Sequence, residues 1–276
     1  MIARDGRGQL FQRIADRRRI AVLPVRGVIG GATRTDLLIR TLGQARRNPH
    51  ISALLLEIDS PGGAATASEA IYFAVKRVAA QKPVVAWIRG TGASGAYFLA
   101  CGATRIVSFP SSIVGSIGVI SVRPIAVEAL RRLGARMFVT KTGPFKDLGA
   151  PWREPSDEDA AKEKDLVNAV FTRFVDAVRG ARGFDDAAVA QVTTGEVWLA
   201  TRALDLGLVD ALADDEDAAL DVAADLAGLP HRFTLRLGPR RSVMQRLGIP
   251  GAGMGPPGER WLTELEGWLQ VPRLRS

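Results

Sequence analysis

Apolar residues follow two rhythms along this chain. Ile20-Ala21-Val22-Leu23-Pro24-Val25, Ala53-Leu54-Leu55-Leu56-Glu57-Ile58 and Pro83-Val84-Val85-Ala86-Trp87-Ile88 are short, nearly continuous apolar runs. Such runs suit strands covered on both faces of a parallel sheet. Between them the apolar positions recur at helical spacing: Leu37, Leu38, Ile39 and Leu42 within 35–46, then Ala70, Phe73, Ala74 and Val78 within 66–80. The pattern next predicts a small-residue helix over 96–101, a strand over 105–108 and an extended, Gly-punctuated piece over 114–119. A helix near 124–133 and a strand over 137–141 follow. A long helix is predicted over 155–181, opened by Ser156-Asp157-Glu158-Asp159. Shorter helices fit 185–192, 201–206 and 216–226.

Strands alternating with helices across Gly turns predict an α/β fold with a mostly parallel sheet and flanking helices. From Gly238 onward the pattern fails. Residues 248–258 are rich in Gly and Pro, as a linker is, and 260–270 set Trp261, Leu265 and Trp268 on one helical face. The expected organisation is a basic extension over 1–19, an α/β body over 20–230, and a basic Gly/Pro-containing tail over 231–276 with a short amphipathic helix. No internal repeat is visible.

Composition narrows the chemistry. The 276 residues are 47% hydrophobic, enough for a sizeable core. Cys101 is the only cysteine, so no intrachain disulfide and no multi-Cys zinc cluster can form. The only histidines are His50, in a polar loop, and His231, after Pro230. Neither is placed like the packed imidazole of a Ser/His/Asp triad, and a multi-His metal site is not expected. The formal charge of +8 sits at the ends: residues 1–20 carry +4, residues 231–276 carry +5, and the remainder −1. Basic ends on a near-neutral body fit contact with an anionic surface, although solvated arginines account for them equally well. No secretory signal or membrane span is visible, so a cytoplasmic protein is expected, with peripheral contact with an anionic membrane at its inner face as an option.

Two glycine turns carry the candidate chemistry. Ser94 lies between a strand and a helix, flanked by Gly92, Ala93, Gly95 and Ala96. Small neighbours admit a substrate backbone, and the start of a helix offers free N–H groups to a developing oxyanion. The same residues also make an ordinary tight turn, and Ala96 breaks the Gly-x-Ser-x-Gly elbow. Ser60-Pro61-Gly62-Gly63 closes another strand. Carboxyl ends of strands are where α/β proteins bind ligands, so the Gly62 or Gly63 amide can supply one oxyanion donor and the Gly95 amide another; a plain loop is the simpler account of this turn alone. A hydroxyl needs a base. Of six lysines, Lys146, in Gly143-Pro144-Phe145-Lys146-Asp147, least resembles a solvated helix decoration. Lys76 and Lys82 read as surface residues at a helix end. Ser116 is a second hydroxyl that can orient an amine, or else a turn serine.

Ser60-Pro61-Gly62-Gly63, Gly92-Ala93-Ser94-Gly95-Ala96-Tyr97, Val114-Gly115-Ser116-Ile117-Gly118 and Gly143-Pro144-Phe145-Lys146-Asp147, in that order, resemble the signal peptide peptidase A family, peptidase family S49, over roughly residues 20–215. The resemblance implies a ClpP/crotonase-like fold and a serine endopeptidase. It implies Ser94 as nucleophile, Lys146 as general base, Ser116 hydrogen-bonded to the lysine amine, and the Ser-Pro-Gly-Gly turn as oxyanion contributor. The chain looks like the short, single-domain form without a membrane anchor. Implied partners are a peptide or unfolded protein substrate, such as signal-peptide remnants or other hydrophobic peptides, and further copies of the chain in a ring or dome. No metal, cofactor or nucleic acid is expected. Two rival readings remain: a crotonase-type acyl-CoA enzyme and a catalytically inactive, membrane-peripheral scaffold.

Overall fold

The computed structural model describes residues 18–31 and 33–237. Residues 1–17 of the expected extension over 1–19, and residues 238–276 of the expected tail over 231–276, including its amphipathic helix, lie outside the described residues. The order is β1 (Arg19–Arg26), α1 (Thr35–Arg47), β2 (Ile51–Ser60), α2 (Ala65–Ala79), β3 (Val84–Ala93), α3 (Gly95–Ala100), β4 (Arg105–Ser108) and β5 (Ile113–Gly115). Then come α4 (Val127–Arg132), α5 (Asp157–Arg182), α6 (Asp186–Val192), β6 (Val197–Leu199), α7 (Ala200–Asp205), β7 (Ala211–Leu212), α8 (Glu216–Leu226) and β8 (Thr234–Arg236). The sheet order is β6-β5-β3-β2-β1-β8, with β4 bridging β3 and β7 off that path. Every pairing is parallel except β5 with β6.

The apolar runs explain the layering. In β2, Leu54, Leu56 and Ile58 face α1, α2 and α3, whereas Ala53 and Leu55 face α8 through Ala219, Leu220 and Ala223. Both faces of the central strands are therefore dry, as a parallel sheet requires. Glu57 is the polar exception on the α8 face. Only 2% of its side chain is exposed, and Arg26, Arg89 and Arg236 all donate to it. Burial raises its pKa, but the arginine hydrogen bonds outweigh it and the net direction is downward.

The long helix starts where the sequence predicts. Ser156 and Asp159 form a reciprocal capping box, and Gly183 in the left-handed region ends the helix. Phe174, Ala177 and Val178 anchor its second half in the core, and Phe174 stacks on Phe98 of α3 at 4.8 Å between ring centres.

Four differences from the sequence reading have physical causes. Residues 137–141 form no strand, because among the described residues no neighbouring strand accepts their backbone groups. β3 runs on through the glycines to Ala93 instead of turning at Gly90; a side chain at Gly92 would strike Ile88 at 2.6 Å, so glycine there lets the strand tip curl over its own residue. The sheet continues past residue 230, since β8 pairs with β1 at Ile20↔Thr234. Lys82 is not a solvated lysine: its Nζ donates to the carbonyls of Ala45 at 2.9 Å and Asn48 at 2.6 Å, closing the end of α1, and burial lowers its pKa.

From Gly118 to Glu158 no residue is buried. This arm displays Ile120, Val122, Leu133, Met137, Phe138 and Phe145 to solvent, Phe138 with 96% exposure. Among the described residues no helix is long and apolar enough to cross a membrane.

Leu56→Ala, in the driest layer, should lower unfolding free energy by about 2–5 kcal/mol. Leu37→Ala, on the exposed side of α1, should change it by less than about 0.5 kcal/mol. Urea titrations with equal slopes for both variants would check this.

Candidate active site

β3 ends by delivering Ser94 to the first turn of α3. Ser94 has φ 51° and ψ −124°, one of two non-glycine residues with positive φ among the described residues; the other is Ser116, also at φ 51°. Such backbone costs about 1–3 kcal/mol and persists where its surroundings enforce it. Here the enforcement is visible. The Ser94 N–H donates to Gly115 C=O at 2.8 Å, the Phe98 N–H returns to Ser94 C=O at 2.9 Å, and the Ser116 N–H donates to Glu196 C=O at 2.6 Å. The register pairs Ala93 with Gly115, so Ser94 and Ser116 follow side by side on adjacent chains.

The Ser60–Gly63 turn lies directly against Ser94. A side chain at Gly62 (φ 101°) would come within 2.7 Å of Gly95 N and 2.9 Å of Ser94 Cβ. One at Gly63 (φ 152°) would come within 2.6 Å of Ile29 N. One at Gly95 would strike Ser68 Oγ and lie 3.4 Å from Gly63 N. Glycine is thus required sterically at all three positions. The Gly62 N–H is engaged with Ser60 Oγ at 3.2 Å, and Ser60 Oγ donates to Gly27 C=O at 2.7 Å. Gly63 is bridged to Ile29 through its neighbours: Ile29 N–H to Gly62 C=O, and Ala64 N–H to Ile29 C=O. Its own N lies 3.4 Å from where a Gly95 Cβ would stand. Among the described residues the Gly63 and Gly95 N–H groups have no acceptor. Two free amides on a glycine-lined turn beside a hydroxyl are what an oxyanion requires.

α3 is fixed from behind. Tyr97, fully buried, donates its hydroxyl to Leu208 C=O at 2.7 Å. Burial foremost raises its pKa well above the ordinary tyrosine value. Arg182 holds the Leu208 loop by donating to Gly207 C=O at 2.6 Å and to both carboxylate oxygens of Asp210. The sequence offered no signal for this Arg182–Asp210 pair, because its members are far apart in the chain. Cys101 is buried, and burial pushes its thiol up to about 12, so it is not a reactive thiol.

The structure therefore brings Ser94, Ser116, Gly62, Gly63 and Gly95 together. Lys146 lies exposed in a turn of the arm, and among the described residues no hydrogen bond or ion pair reaches its amine. Its neighbour Asp147 is strongly engaged, accepting from Lys141 and Arg153. Lys82, the lysine with a lowered pKa, precedes β3 and so stands about 30 Å of extended chain from Ser94; it is not a candidate base. His50 is an exposed turn residue, and the His231 ring packs on Phe233 at 4.2 Å. Among the described residues no group of His, Cys, Asp or Glu could hold a metal ion.

Comparison with known proteins adds lineage to this geometry. The profile of Peptidase family S49 matches residues 76–229, and that of Clp protease matches residues 9–114. A Synechocystis sp. protein that carries a protease name is 35% identical over 215 residues, covering 77% of this chain and 76% of that protein. Protease 4 of Salmonella typhi is 33% identical over 74% of this chain, and the chloroplastic serine protease SPPA of Arabidopsis thaliana 29% over 73%. This chain spans only 32% and 30% of the length of those two. Two solved structures of the 1510-N membrane-bound stomatin-specific protease share the architecture. One is a serine-to-alanine mutant; the other is a lysine-to-alanine mutant in complex with a substrate peptide. Their TM-scores are 0.52 and 0.53 at 17% identity, covering 81% and 90% of this chain and 99% of each of theirs. At that identity the likeness speaks for the fold alone.

Gly63→Ala should cost at least about 2 kcal/mol of stability, because backbone at Ile29 blocks the new methyl and the φ is unfavourable. Gly180→Ala in α5, with nothing within 4 Å of the new methyl, should stabilise by about 0.5–1 kcal/mol. Thermal and urea unfolding of the two variants checks the contrast.

Proposed function

From the premise that this chain belongs to peptidase family S49 and is a serine protease of ClpP/crotonase-like fold, we propose that Ser94 is its nucleophile and Lys146 its general base. The observation carrying the first assignment is Ser94 itself. It is a serine held at φ 51° at the carboxyl end of a parallel strand, beside two amides without acceptors. Neutral Lys146 takes the Ser94 proton as Oγ attacks a peptide carbonyl. The Gly63 and Gly95 amides receive the oxyanion, since the Gly62 amide is occupied by Ser60. The ammonium of Lys146 then protonates the leaving amine, and water resolves the acyl-enzyme. Ser116, next to Ser94 in the register, is the hydroxyl that orients the amine.

A lysine base must be neutral, which requires removal from water. In the single chain Lys146 is exposed, at the end of an arm with no buried residue and several large apolar side chains in solvent. Apolar display on that scale marks an association surface. We take the arm to be covered in a homo-oligomer, a ring or dome, in which packing shields Lys146 and brings it to a Ser94. The substrate is a peptide or unfolded segment laid along the open β3–β5 tip, with hydrophobic peptides such as signal-sequence remnants as the class the family suggests. The basic ends remain the candidates for peripheral contact with anionic lipid at the cytoplasmic face.

Ser94→Ala and Lys146→Ala should each lower turnover of an unfolded protein substrate such as casein by several orders of magnitude while unfolding at the wild-type temperature. Labelling by a fluorophosphonate should vanish in Ser94→Ala. Wild-type turnover in either variant would remove that residue from the mechanism. Phe138→Asp should shift the sedimentation coefficient toward that of the single chain and reduce turnover with it; an unchanged assembly would remove the arm from the interface.

A further inference from the structure

Lys146 belongs to no helix or strand, yet a base must be held to within a fraction of an ångström of its target. Within its turn the backbone closes on itself. Lys146 N–H donates to Gly143 C=O at 3.2 Å, Leu148 N–H to Phe145 C=O at 3.1 Å and Ala150 N–H to Asp147 C=O at 3.0 Å. Lys141 Nζ staples the turn by donating to Pro144 C=O at 2.9 Å and Asp147 Oδ1 at 2.7 Å. Ser121 and Arg123 tie an earlier part of the arm to Glu163 of α5; among the described residues the ion pairs and side-chain hydrogen bonds that join this turn to α5 come from one side chain. Arg153 donates through Nε and Nη2 to both oxygens of Asp147, each at 3.0 Å. It also donates to both oxygens of Asp159, through Nη2 at 3.0 Å and through Nη1. The two carboxylates are nearly buried, with side chains 8% and 4% exposed.

Asp159 is itself immobilised. It accepts from Ser156 N–H at 2.9 Å, and its own N–H donates to Ser156 Oγ at 3.1 Å, the capping box that opens α5. At its far end α5 stacks Phe174 on Phe98, four residues after Ser94, and its Arg182 secures the loop that holds Tyr97. One helix thus spans the distance from the turn of Lys146 to the helix that begins at Ser94.

We propose that Arg153 is a positioning residue: by bridging Asp147 and Asp159 it fixes the backbone of Lys146 to α5 and so sets where the base stands. This rests on the reading of Ser94 and Lys146 as nucleophile and base. The residue types suit the task. A planar guanidinium serves two carboxylates at once, which an ammonium on a flexible stem cannot do with the same geometry. Lys141, Asp147, Arg153 and Asp159 carry two positive and two negative charges, so the clamp holds position without placing net charge beside the amine. The Arg153 and Lys141 hydrogen bonds depress Asp147 to about 2, so this carboxylate is ionised at neutral pH.

The test is Arg153→Ala in the full chain, with Arg153→Lys as the conservative variant. Turnover of a fluorogenic peptide cleaved by the wild type is expressed per active site, counted by exhaustive fluorophosphonate labelling of Ser94. Arg153→Ala should lower kcat per site by roughly 10- to 100-fold with KM unchanged, and Arg153→Lys should recover part of the loss. Asp159→Asn, which loosens only the helix end of the bridge, should give the same split and serves if Arg153→Ala does not fold. A clamp that merely stabilises the arm would lower the unfolding temperature and the number of labelled sites but leave kcat per site intact; that result overturns the proposal. If Lys146→Ala is inactive while Arg153→Ala keeps its kcat per site, only the clamp falls. If Lys146→Ala is itself active, the base assignment falls and takes the clamp with it.

Discussion

Everything at the candidate site depends on the close approach of two glycine turns at the carboxyl ends of neighbouring parallel strands. Gly62 and Gly63 lie so near Ser94 and Gly95 that a single methyl on either side would collide with backbone or with Ser68. That approach brings two amides without acceptors close together beside a hydroxyl. It is possible only because β2 and β3 run parallel and in a fixed register, with a shift between Ile58 and Ser60 that brings Ser60 level with Gly92. The register in turn is set by apolar residues buried on both faces of the central strands.

The molecule divides its rigidity unevenly. The Ser94 half of the site is over-determined by sheet pairing, by Tyr97 on Leu208 C=O and by Phe98 on Phe174. The Lys146 half hangs on an arm with no buried residue, steadied by ionic contacts at the start of α5. On the proposed reading, burial of the arm's apolar residues would couple assembly to the gain of the base. The strained φ at Ser94 and the two amides without acceptors are present in the chain by itself; on the proposed reading, the base joins them only on assembly.

Much of this was legible in the sequence. The continuous apolar runs of β1, β2 and β3 could only be strands dry on both faces, and the helical spacing of α1 and α2 fixed the covering layer. Ser156 followed by Asp159 announced the start of α5. Ser-Pro-Gly-Gly and Gly-Ala-Ser-Gly marked the two turns because glycine runs after buried strands have few other uses. These signals are local, written in neighbouring residues by chain sterics and periodicity.

What only the tertiary structure decided is non-local. Which of Gly62 and Gly63 has a free amide depends on Ser60 reaching Gly62, and on Ile29 bridging Gly63 from another strand. The role of Lys82 depends on carbonyls at the end of α1 that folding brings beside it. Residues 137–141 have strand-like composition, but a strand exists only where a partner accepts its backbone groups, and among the described residues none lies beside them. The sequence by itself determined the layers and the two turns, because burial and backbone strain act on each segment separately. The direction of each amide and the company of each charge were decided by the fold, because hydrogen bonds and ion pairs need a second group that the chain order does not reveal.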